Sequence, residues 1–417
     1  MKNSIKVLLA LIVIWNLVFI GCKKSDSVPD LTLDSLKTGT IDLYGATSAT
    51  GVPVGGDIIA ICNTNVTATT ATSSNISLKR GTVDVDITVT VSGKKITIHP
   101  ASTLLTGTKY TLVLKNLSSE SNKALSDVTS IFTTTGVGLD TPPQAASQVM
   151  YLQLNGNITD VTGNATKTFE QVTYTTDRFG TANAAANFNG GTAAGNGDIV
   201  ELSGTTFINA STTFSVWFKV ANTDYAGLGS RIMFGMASER GLFLEMGGDL
   251  AWMKFATDHK ISPDPKLHYF GTAWDDPNGG GRTGTPMIGT EYKGKIADLI
   301  KDKWSQLVMT FDALTSTKTI FINGVNIYKK SLVNAPEWTL KDMAIADKAD
   351  GTGAAVTGID PKFTLGFFCS RGNTATGWTT YSTATNTFKG SLDDFRIYNK
   401  ALTDSEVTSL YSSEKVQ

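Results

Sequence analysis

The chain of 417 residues is poor in the side chains that build disulfide frameworks and zinc centres, with three cysteines and three histidines. These numbers argue against a disulfide scaffold and against a His-rich metal site. The formal net charge is −1, so the sequence lacks the basic field that nucleic-acid binding requires, and we expect no nucleic-acid partner. It also contains no Gly-rich phosphate loop and no GxSxG nucleophile elbow.

Long apolar runs are scarce as well. Residues 7–20 are apolar apart from Asn16, but these 14 residues fall short of the ~20 that a membrane-spanning helix needs. Lys2 and Lys6 precede the run, as in a secretory signal peptide. The run ends in Ile20-Gly21-Cys22, which resembles a bacterial lipobox, although Phe19 departs from the usual aliphatic residue.

The lipobox resemblance implies that residues 1–21 are a lipoprotein signal peptide, that Cys22 is lipidated, and that residues 22–36 are a polar tether. The implied location is the cell envelope, with a lipid anchor in the outer membrane that faces either the periplasm or the surface. An ordinary signal peptide or a short uncleaved anchor remains the alternative. Cys62 and Cys369 lie in apolar strand patterns, which predicts two buried small hydrophobic residues rather than a disulfide.

Residues 37–135 alternate between apolar and polar positions in short runs separated by turns. The segment DVDITVTVS places Val85, Ile87, Val89 and Val91 on one face of a strand. Evenly spaced strands of this kind predict a β-sandwich. The order of these segments resembles the bacterial Ig-like domain of the S-layer (SbsA) type, which implies a spacer without catalytic groups. A linker, residues 136–148, contains Pro142-Pro143 and is expected to be extended.

Residues 149–412 contain further strand patterns and end in a strand, a turn and one helix. Asn323-Gly324 lies between two alternating runs, which is a strong hairpin signal. Near the end, Thr403 and Glu406 have the spacing of a helix capping box, and Leu402 with Val407 has that of a hydrophobic staple. Trp217 has the parity opposite to its apolar neighbours in TFSVWFKV, and we interpret it as structural.

The segments AANFNGG, GDIVEL, TFSVWFKV, KWSQLVMTF, KTIFINGV and GSLDDFRIYNKAL occur in the order of laminin G-like (concanavalin A-like) domains, which they resemble. The resemblance implies an all-β chain, with an Ig-like β-sandwich followed by a concanavalin A-like jelly-roll sandwich and a short C-terminal helix. Such domains are usually binding modules and sometimes enzymes. Residues 246–302 have little periodicity, and we expect them to form an irregular insertion over one face or rim.

The same resemblance implies one cofactor, calcium. Asp160 matches the acidic residue of the family's opening turn, and Asp393 or Asp394 matches that of the closing strand. Calcium prefers six to eight oxygen ligands from carboxylates and carbonyl groups of tight turns. The alternative is an Asx-turn, in which Asp160 binds only its own backbone.

A catalytic pair of carboxylates is not visible in the sequence. Jelly-roll glucanases carry Glu-x-Asp-x-x-Glu or Glu-x-Asp-x-Glu on one strand face, and no such run occurs here. Glu239 and Glu245 come nearest, but six residues of strand would separate them by roughly 20 Å, against the ~5–10 Å that glycoside hydrolysis needs. Asp249 follows in the same stretch, and all three are interpreted as solvated strand ends.

Aromatic residues beside carboxylates and amides are the candidate ligand-binding groups. Sugar rings stack on aromatic planes while polar side chains bind their hydroxyl groups. We predict that these residues are drawn from two segments expected to be irregular: Trp252, Trp274, Asp275, Asp276, Trp378 and Tyr381. The alternative for each aromatic is that it anchors its own loop.

These observations favour a lipid-anchored cell-envelope protein that binds glycan without catalysis, with the membrane contacted through the lipid. Two alternatives stay open. One is a glycoside hydrolase or another polysaccharide-active enzyme that assembles its carboxylates from separate loops. The other is an adhesion or structural module with a protein partner, for which a broad apolar patch would be the sign.

Overall fold

The computed structural model describes residues 28–45, 48–81, 83–191, 197–204, 211–226, 230–236, 242–247, 250, 252–261, 264–275, 296–315, 317–331, 358, 360, 362–373 and 382–415. The chain divides into two compact units, one comprising residues up to Leu104 with Lys109–Thr135, the other Leu105–Thr108 with Gly136–Gln417. No helix in the described part is long and apolar enough to cross a bilayer.

The first unit is a sandwich of two five-stranded sheets, in the orders β2-β1-β4-β8-β7 and β3-β10-β9-β5-β6. Every pair is antiparallel except β3 with β10. The strands are β1 (Leu33–Thr38), β2 (Ile41–Asp42), β3 (Ala49–Val52), β4 (Ile58–Cys62), β5 (Ile76–Arg80), β6 (Val83–Val85), β7 (Ile87–Ser92), β8 (Lys95–Pro100), β9 (Lys109–Leu114) and β10 (Val128–Thr134).

Alternation in the sequence explains the core of this unit. The predicted apolar face of β6 and β7 is half-buried and packs against fully buried residues such as Ile96, Ile98 and Phe132. Cys62 is buried, as predicted, and its burial, together with the nearby Asp34, raises the pKa of its thiol to about 11. The thiol is therefore protonated and inert at neutral pH.

The second unit has fifteen strands and two helices in its described residues. The strands are β11 (Gln148–Leu152), β12 (Thr166–Gln171), β13 (Thr173–Thr175), β14 (Ala185–Asn189), β15 (Ile199–Ser203), β16 (Thr212–Lys219), β17 (Ser230–Met236), β18 (Leu242–Gly247), β19 (Trp252–Ile261), β20 (Asp264–Asp275), β21 (Trp304–Asp312), β22 (Thr317–Ile322), β23 (Val325–Ser331), β24 (Phe363–Leu365) and β25 (Lys389–Tyr398). The helices are α1 (Ile296–Ile300) and α2 (Asp404–Glu414). Short 3-10 turns cover Ala68–Thr70, Ala145–Ser147 and Asn222–Asp224.

Two antiparallel sheets enclose the core of the second unit. The eight-stranded sheet has the order β13-β14-β25-β16-β21-β22-β23, with β11 also paired to β25. The seven-stranded sheet has the order β12-β15-β24-β17-β18-β19-β20. Aromatic rings from both sheets meet between them, as where Phe234 packs edge-on against Phe395. The all-β prediction, with two sandwiches and a helix near the C-terminal end, is confirmed.

Local signals in the sequence are realised at two places. Asn323 and Gly324 have φ of 51° and 75°, the left-handed pair that a tight two-residue hairpin needs, and they join β22 to β23. At the start of α2, Thr403 and Glu406 form the predicted capping box. Leu402 and Val407 are buried in one cluster, in agreement with the predicted staple.

The expectation of an irregular insertion over residues 246–302 is wrong for most of its described residues. Strands β19 and β20 form a long hairpin that extends the seven-stranded sheet beyond β18. Trp252, Trp274 and Asp275, which were assigned to loops, are therefore strand residues. The sequence did not reveal the hairpin because pairing with β18, rather than alternation within the segment, decides the structure of such a strand.

Candidate ligand-binding face

The two sheets of the second unit are covered differently on their outer faces. On the eight-stranded sheet, α2 packs against the outer surface and buries one apolar cluster: Val308, Phe321, Tyr398, Leu402, Val407 and Leu410. Trp217 lies on this same face and is buried, its ring stacked on Tyr411 of α2. Its interpretation as a structural residue is confirmed, and this face is internal packing.

A buried ion cluster fixes the end of α2 to this sheet. It consists of Arg178, Asp393, Asp394, Arg396 and Glu414, whose side chains are at most 7% exposed. Two members carry positive charge and three carry carboxyl groups. Such a cluster persists in a protein interior only when each charge finds partners.

A β-bulge in β25 brings two adjacent carboxylates onto one guanidinium. Ser215 and Trp217 of β16 are two residues apart, yet their partners Arg396 and Asp393 are three apart, so β25 carries one extra residue. Asp394, at the bulge, has φ of 46°. Arg178 donates from Nη1 to Asp393 and from Nη2 to Asp394 Oδ2, the latter at 2.6 Å.

Glu414 connects α2 to several strands at once. Its Oε2 accepts hydrogen bonds from Trp217 Nε1 at 2.8 Å and Gln306 Nε2 at 3.0 Å. Arg396 Nη2 lies 3.0 Å from Glu414 Oε1, and Arg178 Nε donates to the Glu414 carbonyl oxygen at 3.0 Å. The helix end is therefore held by both of the buried arginines.

The charges in this cluster do not balance if every group is ionised, because three carboxylates face two guanidinium groups. Burial raises the pKa of Asp393, against the opposing effect of Arg178, and burial likewise raises the pKa of Glu414. The cluster therefore binds a proton more tightly than the same carboxyl groups do in the unfolded chain. Asp393 and Asp394, predicted as calcium ligands, are engaged here with arginine.

Asp160, the third predicted calcium ligand, binds its own loop. Its Oδ1 accepts hydrogen bonds from the backbone N–H groups of Tyr151 at 2.8 Å and Thr162 at 3.1 Å. Its Oδ2 accepts from the N–H groups of Asn164 and Ala165, both at 2.9 Å. The bond from Thr162, two residues on, is that of the Asx-turn that the sequence left open.

These three carboxylates do not converge on one point suited to calcium. Tyr151 spans two of them, with its backbone N–H bound to Asp160 and its hydroxyl donating to Asp394 Oδ1 at 2.5 Å. Within the described residues, no three His, Cys, Asp or Glu side chains are grouped so that they could hold a metal. The arrangement does not fit the ion, and calcium binding stays a prediction.

The outer face of the seven-stranded sheet has a row of residues that runs straight across all seven strands, which we call the transverse row. Each member is paired in register with the next, and small side chains predominate toward one edge. In strand order the row is Phe169, Glu201, Thr364, Gly235, Phe243, Ala256 and Gly271.

A loop of residues 366–373 lies along this row. A Cβ atom on Gly235 would come within 2.4 Å of the Phe368 Cα, so only glycine allows the loop to approach so closely. Thr364 Oγ1 donates to the Phe367 carbonyl at 2.7 Å. The Phe368 ring packs on Phe243, with ring centroids 6.3 Å apart.

Two positions along the row from Gly235, the buried residue Glu201 anchors the loop. Its Oε1 accepts from Arg371 twice, from the backbone N–H at 2.8 Å and from Nε at 2.9 Å. Its Oε2 accepts from Lys362 Nζ at 3.3 Å. Burial alone would raise the pKa of Glu201, but the bonds from Arg371 and Lys362 outweigh it and lower the pKa.

Two further ion pairs complete this face. Lys362 also binds Asp360 at 3.0 Å, and Ser370 Oγ donates to Asp360 Oδ2 at 2.5 Å. One row further along, Glu245 is buried within β18 and pairs with Lys254 Nζ at 2.6 Å, so its interpretation as a solvated strand end is wrong. A glycosidase acid needs a raised pKa. Glu201 is held ionised by its partners and is therefore unsuited to donate a proton.

The ligand-binding residues predicted from the sequence relate to this same sheet. Trp252 pairs with Asp275, and Trp274 pairs with Met253, on the edge hairpin β19–β20. The side chains of Trp252, Trp274 and Asp275 lie outside the described part of the structure.

The remaining three, Asp276, Trp378 and Tyr381, lie outside the described residues altogether. Of the described flanks of the segment with Trp378 and Tyr381, one belongs to the loop of residues 366–373 and the other contacts the seven-stranded sheet. Before it, Asn373 accepts a hydrogen bond from Asp360 N. After it, the Asn386 carbonyl accepts from Ile232 N at 2.8 Å.

Sequence reasoning missed the two residues that order this face. Glu201 interrupts the apolar run IVEL, and a charged residue inside such a run is a sign of a buried, paired group. Arg371 gives no comparable signal, because it stands in an ordinary Ser-Arg-Gly turn and its partner is 170 residues away.

The family model of the bacterial Ig-like domain matches residues 41–134. This match confirms the bacterial Ig-like domain predicted for residues 37–135. No curated protein matches the chain.

Solved structures similar to the chain include three toxin binding domains. That of botulinum neurotoxin serotype D has a TM-score of 0.39 and 12% identity, covering 64% of this chain and 51% of that chain. That of Paraclostridial Mosquitocidal Protein 1 has a TM-score of 0.38 and 17% identity, covering 64% and 52%. That of botulinum neurotoxin DC in complex with SialylT has a TM-score of 0.39 and 12% identity, covering 64% and 51%.

The chain thus spans about half the length of these structures. Because their TM-scores lie below 0.5, they carry no argument about this chain, and the all-β assignment rests on its own strands.

The four backbone hydrogen bonds to Asp160 predict the effect of Asp160→Asn. An amide retains only one acceptor oxygen, so the variant should lose about 2–3 kcal/mol of unfolding free energy. Denaturant unfolding with and without chelator would measure this loss. Asp312→Asn is the control, because the Asp312 carboxylate accepts a hydrogen bond from only one backbone N–H group among the described residues. A bound calcium ion would instead make the wild-type melting temperature fall with chelator, and Asp160→Asn would abolish that fall.

The raised pKa of the carboxyl groups in the buried ion cluster predicts a pH dependence of stability. A carboxyl whose folded-state pKa lies above its unfolded value favours the folded state at low pH. This contribution is lost as pH rises from the unfolded pKa, near 4, toward the folded one, by at most about 1.4 kcal/mol per pH unit.

The Asp393→Asn variant leaves two carboxylates for two guanidinium groups and should remove this dependence. Its unfolding free energy relative to that of wild type should therefore rise from pH 5 upward until the pH passes the folded-state pKa, and then stay constant up to pH 9. Asp298→Asn, at a side chain that is 59% exposed, is the control. Parallel curves for wild type and Asp393→Asn would show that the pKa of Asp393 is not raised by folding.

Proposed function

We propose that the chain is a lipid-anchored cell-envelope protein whose second unit is a laminin G-like (concanavalin A-like) domain that binds glycan. Two antiparallel sheets around one core support this, as does the closing strand β25, which pairs with the opening strand β11 and precedes a capped helix. The bacterial Ig-like unit serves as a spacer.

One observation carries the proposal of glycan binding. Hairpin β19–β20, with Trp252, Trp274 and Asp275, is the edge of the sheet whose outer face is crossed by the loop of residues 366–373. That loop leads into the segment containing Trp378 and Tyr381. The two aromatic segments, more than 100 residues apart in the sequence, are thus attached to one sheet.

The same face favours binding over catalysis. Its two buried glutamates, Glu201 and Glu245, are each paired with a basic side chain. Within the described residues, neither glutamate lies beside a second carboxyl group that lacks a basic partner. Product analysis on any glycan that binds would test this, since release of reducing ends would establish an enzyme.

The lipid anchor has its own test. Cys22 lies outside the described residues, and its lipidation rests on the lipobox-like sequence. Acyl chains contribute roughly 0.8 kcal/mol per buried CH₂, so several chains hold a protein firmly on a membrane. Cys22→Ala should therefore move the protein from the membrane fraction to the soluble fraction, whereas equal partitioning of variant and wild type would rule out the anchor.

Glycan binding is tested by an array probed with the full-length protein in detergent. For a glycan that binds, Trp274→Ala should weaken affinity roughly ten-fold, since an aromatic stacking contact contributes on the order of 1–2 kcal/mol. Tyr44→Ala, at an exposed aromatic residue of the first unit, is the control and should leave affinity unchanged.

The melting temperature separates the two roles of Trp274. If Trp274→Ala mainly lowers the melting temperature, the residue anchors its hairpin and another residue binds the sugar. Binding of no glycan, together with capture of a protein partner at a defined affinity, would favour the adhesion alternative.

A further inference from the structure

Arg371 is fixed in position although half of its side chain is exposed. Its backbone N–H and its Nε both donate to Glu201 Oε1. Its guanidinium lies over the ring of Phe169, and its side chain is 52% exposed. The loop carrying Arg371 is itself held to the sheet through Phe368 above Gly235. A group held in this way loses little further freedom when a ligand binds.

The hydrogen-bonding capacity around Arg371 is unequally used. Glu201 accepts from Arg371 and Lys362, and Asp360 Oδ2 accepts from Ser370 and pairs with Lys362. In contrast, Nη1 and Nη2 of Arg371 donate to no described residue. Two terminal nitrogens without a partner among the described residues form a planar two-pronged donor, and this matches the two oxygens of a carboxylate.

The surrounding charges indicate how such a ligand would be selected. Among the described residues, Glu201 and Asp360 offset Lys362 and Arg371, so these four side chains leave no excess positive charge to attract every anion. Discrimination between a carboxylate and other anions must therefore come from the geometry of the two terminal nitrogens of Arg371. Asp360 Oδ1 accepts no hydrogen bond within the described residues, which leaves it for a sugar hydroxyl.

We infer that Arg371 binds the carboxylate of an acidic sugar, so that the glycan recognised by this face contains uronic acid residues. The inference rests on the proposed glycan binding and adds the substrate class. The Phe169 ring packs against the guanidinium, and Glu201 accepts a hydrogen bond from its Nε. A lowered pKa keeps Glu201 charged at neutral pH, so that the arrangement persists there.

The test uses pairs of oligosaccharides in which a methyl ester replaces each carboxylate and so removes its charge. Oligomers of galacturonate, glucuronate and mannuronate are compared with their methyl esters for binding to the full-length protein at neutral pH. At least one acid should bind roughly ten-fold or more tightly than its ester. Arg371→Gln should abolish that preference, and Arg371→Lys, which keeps the charge without the fork, should retain only part of it.

Lys389→Gln is the matched control, because Lys389 is also half-exposed and paired with one carboxylate, Asp224, on the other sheet. It should leave the preference unchanged. Should Arg371→Gln destabilise the protein, Phe169→Leu decides, since it keeps both charged groups and should still reduce the preference for the acid.

The outcomes separate this inference from the proposed function. Binding of neutral or sulfated glycans alone, unaffected by Arg371→Gln, would overturn the acidic-sugar assignment and leave glycan binding in place. An acid preference that Arg371→Gln and Phe169→Leu both leave intact would place the carboxylate site elsewhere and overturn the role of Arg371. Binding of no glycan of either kind would overturn both.

Discussion

A guanidinium buried beneath a helix is the constraint on which the eight-stranded sheet depends. Arg178 has no exposed side-chain surface, so its charge must be met inside the protein by Asp393 and Asp394. Removal of one partner from such a buried pair costs about 3–5 kcal/mol, because the remaining charge stays desolvated. The bulge that presents both carboxylates is therefore as much part of the fold as the strand that contains it.

The outer faces of the two sheets in the second unit are covered by different kinds of structure. One sheet is covered by an amphipathic helix, whose last turn carries Glu414 into the interior. The other is crossed by a loop that is held by a glycine at one end and by a buried glutamate at the other. The helix buries the side chains on the outer face of the eight-stranded sheet. The loop on the seven-stranded sheet leaves Arg371 half-exposed, and for this reason the candidate site lies on that sheet.

Local structure was predictable from the sequence because its causes are local. The capping box at Thr403 and the Asn323-Gly324 turn depend on residues within one turn of each other, and both were found as expected. Strand parity placed Trp217 on the outer face of its strand, but its burial there depends on α2, whose Tyr411 and Glu414 contact it. The Asx-turn at Asp160 was one of two alternatives that the residues themselves could not separate.

The remainder depends on partners that are distant in sequence. Arg178 meets Asp393 across 215 residues, and Arg371 meets Glu201 across 170. Periodicity contains no information about such meetings. Hairpin β19–β20 was missed for a related reason, since its identity as sheet is decided by β18 alongside it.

The pairing of β11 with β25 has a consequence for the order of folding. Gln148, in the first strand of the second unit, lies opposite Tyr398, in the last. Contacts of such long sequence separation slow folding, because the entropy of closing the loop is lost before the contact forms. During synthesis, β11 cannot pair with β25 until nearly the whole unit has emerged. The eight-stranded sheet is therefore expected to close late, when β25 enters between β14 and β16.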